Sequence, residues 1–213
     1  MNFGGIVLCG GRSTRMGLSK AWLPFGPEVL LQRVVRVLSE LVEPVIVVAA
    51  SQQDLPELPG EVRVARDRRE GRGPLEGLSA GLSALPARTA AAFVTSCDVP
   101  LLVPAFVWYL HERLGSHDVV VPVEGSLHHP LSAVYRTTVL PHIEELLATD
   151  RLRPIFLYER VATLRLPVAE LRDVDPRLDS LANLNHAHDY VAAVERAGFT
   201  VPDDVASRLR DAS

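Results

Sequence analysis

The sequence predicts an α/β fold in which a mostly parallel sheet carries helices on both faces. Short runs of apolar and β-branched residues alternate along the chain with amphipathic segments. Such runs are typical of buried parallel strands, and their alternation with helices favours right-handed crossovers. A chain of 213 residues, 47% of them apolar, can build one sizeable core, so we expect a single domain over residues 1–213.

The first strand–helix–strand unit occupies the first fifty residues. Phe3–Cys9 is a short apolar run that ends at two glycines, which predicts a buried strand followed by a backbone turn. Between Val29 and Leu41 apolar residues recur at three- and four-residue spacing, which predicts an amphipathic helix. Pro44–Ala50 is again apolar and β-branched, and predicts the second strand.

The same alternation continues to the end of the chain. Further strands are predicted at Val62–Ala65, Ala91–Thr95, Val119–Pro122, Ser132–Tyr135 and Thr163–Pro167. Further helices are predicted at Gly77–Leu85, Pro104–Leu114, Val139–Ala148 and His188–Ala197. The Pro-rich piece Pro56–Gly60 predicts a surface loop, and the polar tail Pro202–Ser213 is assigned no role.

Charge and cysteine usage exclude several kinds of partner. The formal net charge of −4 gives no positive field for nucleic acid or an anionic membrane. No export signal is visible, and no apolar run approaches the roughly 20 residues of a membrane span. Cys9 and Cys97 lack the spacing of a zinc site and suit a reducing compartment, so we expect a cytoplasmic protein.

A glycine-rich loop with three cations follows the first strand, where ligands of parallel sheets bind. The segment Leu8–Lys20 contains glycines at 10, 11 and 17, together with Arg12, Arg15 and Lys20. Glycines let backbone amides approach an anion closely, so the segment predicts a polyphosphate site. It has neither the Rossmann nor the P-loop spacing. The alternative is a Gly-rich surface turn with solvated basic residues.

Two aspartates follow later strands. Asp67 precedes a Gly-Pro turn that opens a helix, where a carboxylate and free amides could meet a ligand. In that helix Gly77 and Gly81 allow close approach of a backbone or a flat base, or simply helix–sheet packing. Asp98 comes just past a buried strand, and Mg²⁺ is typically held by one or two carboxylates plus substrate phosphates. Asp98 is therefore the candidate metal ligand, with an Asx turn before Pro100 as the alternative.

The ordered set of motifs resembles molybdenum cofactor guanylyltransferases within the wider nucleotidyltransferase group. The set comprises Leu-x-Gly-Gly-x-Ser-x-Arg-Met-Gly-x-x-Lys at 8–20, Asp67 with Gly-Pro-Leu-x-Gly at 73–77, and Cys-Asp-Val-Pro at 97–100. The resemblance covers residues 4–195 and implies a three-layer, Rossmann-like fold of the nucleotide-diphospho-sugar transferase type. It implies nucleotide binding by Leu8, Cys9, Gly10, Gly11, Lys20, Asp67 and Asp98, with Mg²⁺ on Asp98.

The implied reaction transfers GMP from GTP to the phosphate of molybdopterin, with release of pyrophosphate. Arg15, Lys20 and Asp98 would form the catalytic set, because phosphoryl chemistry depends mainly on positioning and charge neutralisation. Other cofactor-assembly proteins and apo-molybdoenzymes are further candidate partners. The alternatives are a cytidylyltransferase on molybdopterin, an enzyme charging a sugar or polyol phosphate, and a catalytically silent nucleotide-binding regulator. Retention of both Asp67 and Asp98 argues against the last.

Weaker signals and two departures complete the comparison with that family. His129-Pro130-Leu131 and Asn183-Leu184-Asn185 are similar to family elements, whereas His128 and His129 could be exposed loop residues and Asn183 a helix cap. Arg151 and Arg153 either face the pterin phosphate or form a solvated turn. Cys9 stands where the family usually has Ala. After the second strand, Val48–Ser51 lacks the Asn that contacts the nucleotide in many members, which weakens the choice of guanine over cytosine.

Overall fold

A computed structural model of the chain describes residues 2–10, 19–67, 69 and 71–211. The strands are β1 Asn2–Leu8, β2 Pro24–Phe25, β3 Glu28–Val29, β4 Val45–Ala49, β5 Arg63–Arg66, β6 Thr89–Ser96, β7 Val119–Glu124, β8 Leu127–His128, β9 Ala133–Arg136 and β10 Thr163–Pro167. The helices are α1 Leu30–Ser39, α2 Pro74–Ala84, α3 Pro104–Arg113, α4 Leu140–Ala148, α5 Ile155–Tyr158, α6 Val168–Leu171, α7 Ala187–Arg196 and α8 Asp203–Asp211.

Within the described residues eight strands form one mostly parallel sheet. Its order is β10-β7-β9-β6-β1-β4-β5, and β8 pairs with β7 at the side of this path. The pairs β1–β4, β1–β6, β4–β5 and β7–β10 are parallel, whereas β9 runs antiparallel to both β6 and β7. The connection from β7 to β9 is too short for a helical crossover, so β9 must run in the opposite direction. The predicted fold class is confirmed.

Two hydrophobic layers cover the two faces of the sheet. Alternate residues of β1 point to opposite faces, with Phe3 and Val7 in one layer and Ile6 and Leu8 in the other. Helices α1, α3 and α6 bury their apolar sides in the first layer, and α2, α4 and α5 in the second. The three-layer arrangement predicted above therefore holds.

A third hydrophobic cluster joins the end of the chain to a small hairpin before α1. The hairpin pairs β2 with β3, and the cluster packs it against α7 and α8. The Tyr190 hydroxyl donates a hydrogen bond to the carbonyl of Pro24 at 2.5 Å. Val205 and Leu209 of α8 are buried in the same cluster. The stretch Asp203–Asp211 of the polar tail, to which the sequence assigns no role, is thus a packed amphipathic helix.

The predicted elements are present, with shifted ends. Helix α2 begins at Pro74 rather than Gly77, because Pro is favourable at the first helical position and Gly73 before it has φ +73°. The sequence did not indicate the hairpin, β8, α5, α6 or α8, all of which are short or weakly apolar. Among the residues that the structure describes, no helix is both long and apolar enough to cross a membrane.

Candidate active site

The carboxyl ends of four neighbouring parallel strands, β5, β4, β1 and β6, lie at one edge of the sheet. Backbone hydrogen bonds continue past these ends, from Cys9 N to Val48 O (2.7 Å), from Asp67 N to Ala49 O (2.9 Å) and from Cys97 N to Leu8 O (3.0 Å). The residues that follow each strand are therefore fixed side by side. This is the edge at which parallel sheets bind their ligands.

Lys20 and Asp98 form an ion pair at this edge. The Nζ atom of Lys20 lies 2.7 Å from Oδ2 of Asp98, and the two side chains are only 18% and 14% exposed. The hydroxyl of Ser96 donates a hydrogen bond to the other carboxylate oxygen. Both oxygens of Asp98 thus contact side chains of the described chain, and the Asx-turn alternative for this residue is wrong.

The segment that contains Asn183 and Asn185 is hydrogen-bonded to the turn that carries Asp98. The backbone amide of Leu184, which lies between them, donates to the carbonyl of Asp98 at 3.1 Å. Both asparagines are exposed. Helix α7 begins after His186, and Asp189 accepts the His186 amide at 2.8 Å. The N-cap of α7 is His186, so the helix-cap alternative for Asn183 is wrong.

Gly10, Asp67 and Gly77 pack together with Leu8. A Cβ atom on Gly10 would lie 2.7 Å from Oδ2 of Asp67, and one on Gly77 would lie 3.2 Å from Leu8 and 3.6 Å from Oδ1 of Asp67. The missing side chains thus let the start of the glycine loop, the second strand-end aspartate and α2 approach closely. A Cβ on Gly81 would meet Ile6 at 2.6 Å, so the helix–sheet alternative holds for that residue.

Gln53 is a site residue that the sequence did not reveal. Its Nε2 donates to the Cys9 carbonyl at 3.1 Å, and its Oε1 accepts the Ala50 amide at 3.1 Å. The Arg66 guanidinium donates to the carbonyls of Ala50 and Gln53 at 2.9 and 2.7 Å. Gln53 therefore joins the ends of β1, β4 and β5, close to the point where the family's Asn is missing. A single Gln in a short loop carries no periodic signal that could have indicated this.

The two cysteines, distant in sequence, are neighbours in the structure. Leu8 pairs with Ser96 in the β1–β6 register, so Cys9 and Cys97 follow at the next position of each strand. Both belong to the same hydrophobic layer, and they are 5% and 6% exposed. A hydrogen bond between the thiols lowers the pKa of Cys9 and raises the pKa of Cys97.

His128 and His129 lie near the start of β9, at the same edge of the sheet. The His129 amide donates to the carbonyl of Pro122 at 3.0 Å, and the His128 ring stacks on Tyr158 with 5.4 Å between centroids. Burial lowers the pKa of His129. Within the described part of the chain, the Nε2 atoms of both histidines are buried without a hydrogen-bond partner. Neither is a freely solvated loop residue.

The remaining candidates divide into exposed residues and residues outside the described ranges. Arg151 and Arg153 are exposed, and the Arg151 guanidinium lies 4.7 Å from the centre of the Phe156 ring. Gly11 and Arg15 lie outside the described residues, and their predicted roles stay predictions. Within 2–10, 19–67, 69 and 71–211, no group of three or more His, Cys, Asp or Glu residues could hold a metal ion by itself.

Comparisons with known proteins agree with this fold and identify the family. A family model described as the MobA-like NTP transferase domain matches residues 5–164. Two probable molybdenum cofactor guanylyltransferases are similar over most of their length. The one from Methanosarcina acetivorans is 36% identical over 201 residues, 86% of each chain, and the one from Mycobacterium avium is 41% identical over 153 residues, 70% of this chain and 76% of the relative.

Solved structures show the same architecture. Molybdopterin-guanine dinucleotide biosynthesis protein A from Archaeoglobus fulgidus superposes with a TM-score of 0.75 at 22% identity, covering 92% of this chain and 98% of that one. The 2-C-methyl-D-erythritol 4-phosphate cytidylyltransferase from Thermus thermophilus gives 0.65 at 15% identity, covering 93% and 100%. These likenesses show the fold, and the matches to the domain model and the relatives decide the family. The chain belongs to the MobA-like NTP transferase family.

Proposed function

We propose that this protein transfers GMP from GTP to the phosphate of molybdopterin and releases pyrophosphate. The observation that carries the proposal is the Lys20–Asp98 pair, held past the end of β6 at the strand edge where the glycine-rich loop begins. The names of the relatives, which match this chain over most of both lengths, support the choice of substrates.

The chain's own groups supply positioning and positive charge. Lys20, Arg15 and the amides of Gly10 and Gly11 would face the nucleotide phosphates and stabilise the negative charge that develops during transfer. The acceptor phosphate is already ionised at neutral pH, so no residue must act as a general base.

Asp98 suits the Mg²⁺ ion that the proposed reaction requires. A partly buried carboxylate at a strand end, 14% exposed, matches the donor that Mg²⁺ takes from proteins when phosphates supply other ligands. When bound, the ion would neutralise charge on the phosphates. Ser96 holds one carboxylate oxygen of Asp98 in place, and Lys20 would exchange its contact with the other for a phosphate oxygen.

The proposal also includes the remaining nucleotide-site residues, the domain organisation, the cellular location and the partners. Leu8, Cys9, Gly10, Gly11, Lys20, Asp67 and Asp98 form the nucleotide site, and residues 1–213 act as one nucleotidyltransferase domain. Helix α8 packs into this domain through Val205 and Leu209, which supports the inclusion of the tail. We place the protein in the cytoplasm, with molybdopterin as acceptor and other cofactor-assembly proteins and apo-molybdoenzymes as partners.

The deciding experiment measures pyrophosphate release with molybdopterin and Mg²⁺, comparing GTP with CTP. We expect pyrophosphate release with GTP. In Asp98→Asn we expect the rate of release to fall at least about 100-fold, because the carboxylate that would hold Mg²⁺ on the phosphates is removed. Glu112→Gln is the matched control, since Glu112 is exposed and its neighbour His111 packs against Phe3 near the amino end of β1, at the opposite edge of the sheet. Preference for CTP would identify a cytidylyltransferase, and no release with either nucleotide would contradict the proposal.

A further inference from the structure

We propose that Cys9 and Cys97 form a redox-sensitive thiol pair, whose oxidation to a disulfide by a peroxide closes the nucleotide site. The thiol pair follows from the structure alone. Its effect on catalysis rests on the function proposed above. The structure holds both cysteines as free thiols.

The positions of the two cysteines meet the requirements of a disulfide. They follow the paired residues Leu8 and Ser96 of adjacent parallel strands, and the Cys97 amide still donates to the Leu8 carbonyl at 3.0 Å. Strands in a sheet lie about 4.8 Å apart, and disulfides join Cα atoms about 4.4–6.8 Å apart. Both side chains enter the same hydrophobic layer. Cross-linking therefore needs no change of register.

The oxidation is balanced with hydrogen peroxide as the oxidant. Attack by the sulfur of Cys9 on one peroxide oxygen breaks the O–O bond, leaves a sulfenic acid on Cys9 and releases water. Attack by the sulfur of Cys97 on the Cys9 sulfur then breaks the S–O bond and releases a second water. Two thiols are oxidised and one peroxide is reduced. With 5% and 6% of the two residues exposed, a small oxidant is the suitable one.

The disulfide would affect both the turn that carries Asp98 and the start of the glycine-rich loop at Gly10. Cys97 directly precedes Asp98, whose carboxylate is held by Ser96 and Lys20. Cys9 directly precedes Gly10, and its sulfur accepts a hydrogen bond from Gln53 at 3.4 Å. A covalent bond between the sulfurs would draw together the two turns that carry these residues and disturb the contact of Gln53 with the Cys9 sulfur. Small displacements of positioning groups reduce the rate of transfer strongly.

Peptide mapping after peroxide treatment tests the thiol pair independently of any activity. Because the chain has two cysteines, an internal disulfide must join them. We expect the oxidised protein to lose the mass of two hydrogens, and its tryptic peptide ending at Arg12 to be linked to the peptide Thr89–Arg113. Non-reducing gels separate this product from cross-linked dimers. A chain that keeps two free thiols, or forms only dimers, would overturn the proposal.

Pyrophosphate release before and after oxidation tests the consequence. We expect oxidation to lower GTP-dependent release at least about ten-fold, with recovery in dithiothreitol, and no loss in Cys97→Ala. Recovery in dithiothreitol separates this effect from methionine oxidation by peroxide, whose reversal requires methionine sulfoxide reductases. A mapped disulfide with unchanged release, or an equal loss in Cys97→Ala, would refute the closure of the site. If the reduced protein releases no pyrophosphate, the proposed function fails, while the peptide map still decides whether the thiol pair exists.

Discussion

Lys20 is the only lysine in the sequence, whose other basic residues are arginines. Its ammonium lies in a partly buried position, 2.7 Å from Asp98. A lysine ammonium is a compact point charge, whereas a guanidinium is planar and larger. The one lysine of the sequence therefore lies where a compact cation must fit between the Asp98 carboxylate and the proposed phosphates.

Replacement of Lys20 is expected to impair transfer more than binding. We expect Lys20→Met to lower kcat by about 100-fold or more with a smaller change in the KM for GTP, because a preorganised charge is lost where negative charge develops. Lys20→Arg is expected to recover little of it, since the fork-shaped group does not fit the same space. Steady-state kinetics of both variants measure this. Equal activity of Lys20→Arg and wild type would show that charge alone suffices.

Substitution of Gly10 tests the close packing at the start of the glycine-rich loop. In Gly10→Ala the added Cβ would lie 2.7 Å from Asp67, so either the loop or the carboxylate must move. We expect a rise in the KM for GTP of about ten-fold and a loss of about 1–2 kcal/mol in the free energy of unfolding. Gly60→Ala is the control, because nothing lies within 4 Å of its missing Cβ. Kinetics and urea titration measure the two effects, and identical behaviour of both variants would contradict the packing argument.

At the scale of elements, α7 packs against the β2–β3 hairpin, which follows the short 3₁₀ turn Lys20–Trp22 in the chain. Tyr190 is fully buried, and its hydroxyl donates to the Pro24 carbonyl at 2.5 Å. Burial raises the pKa of Tyr190 to about 12. The unfolded chain ionises near the ordinary value of about 10. The neutral tyrosine thus contributes stability that is fully present below about pH 10 and is lost as the pH rises towards 12.

The substitution Tyr190→Phe should remove the contribution of Tyr190 to the pH dependence of stability. We expect the variant to be less stable by about 1 kcal/mol at pH 7, because the Pro24 carbonyl loses its donor. Between about pH 10 and 12 the difference from wild type should shrink. Urea titrations at several pH values measure the difference, which removes the contributions of the other tyrosines. A constant difference across that range would show that Tyr190 does not titrate as its burial implies.

At the scale of the whole molecule, the site residues that could be predicted are those that directly follow a strand recognisable from its own sequence. The glycine loop, Asp67 and Asp98 each follow a strand that the apolar pattern indicates, and the rule for parallel sheets brings strand ends together. The Cys9–Cys97 contact depends on the register of β1 against β6, which no local pattern contains. Gln53 and α8 escaped prediction for a related reason, since their partners come from distant segments.

Binding of nucleotide should stabilise the whole chain, because the site exists only where folding brings the ends of β5, β4, β1 and β6 together. A ligand that binds the folded state alone at about 100 times its Kd adds about 2.7 kcal/mol to the free energy of unfolding. We expect GTP with Mg²⁺ to give a shift of this order in urea titration, and EDTA or Asp98→Asn to abolish most of it. Glu112→Gln should behave as wild type. A shift that persists in EDTA and in Asp98→Asn would mean that the nucleotide is held without the ion, by the glycine loop and its cations alone.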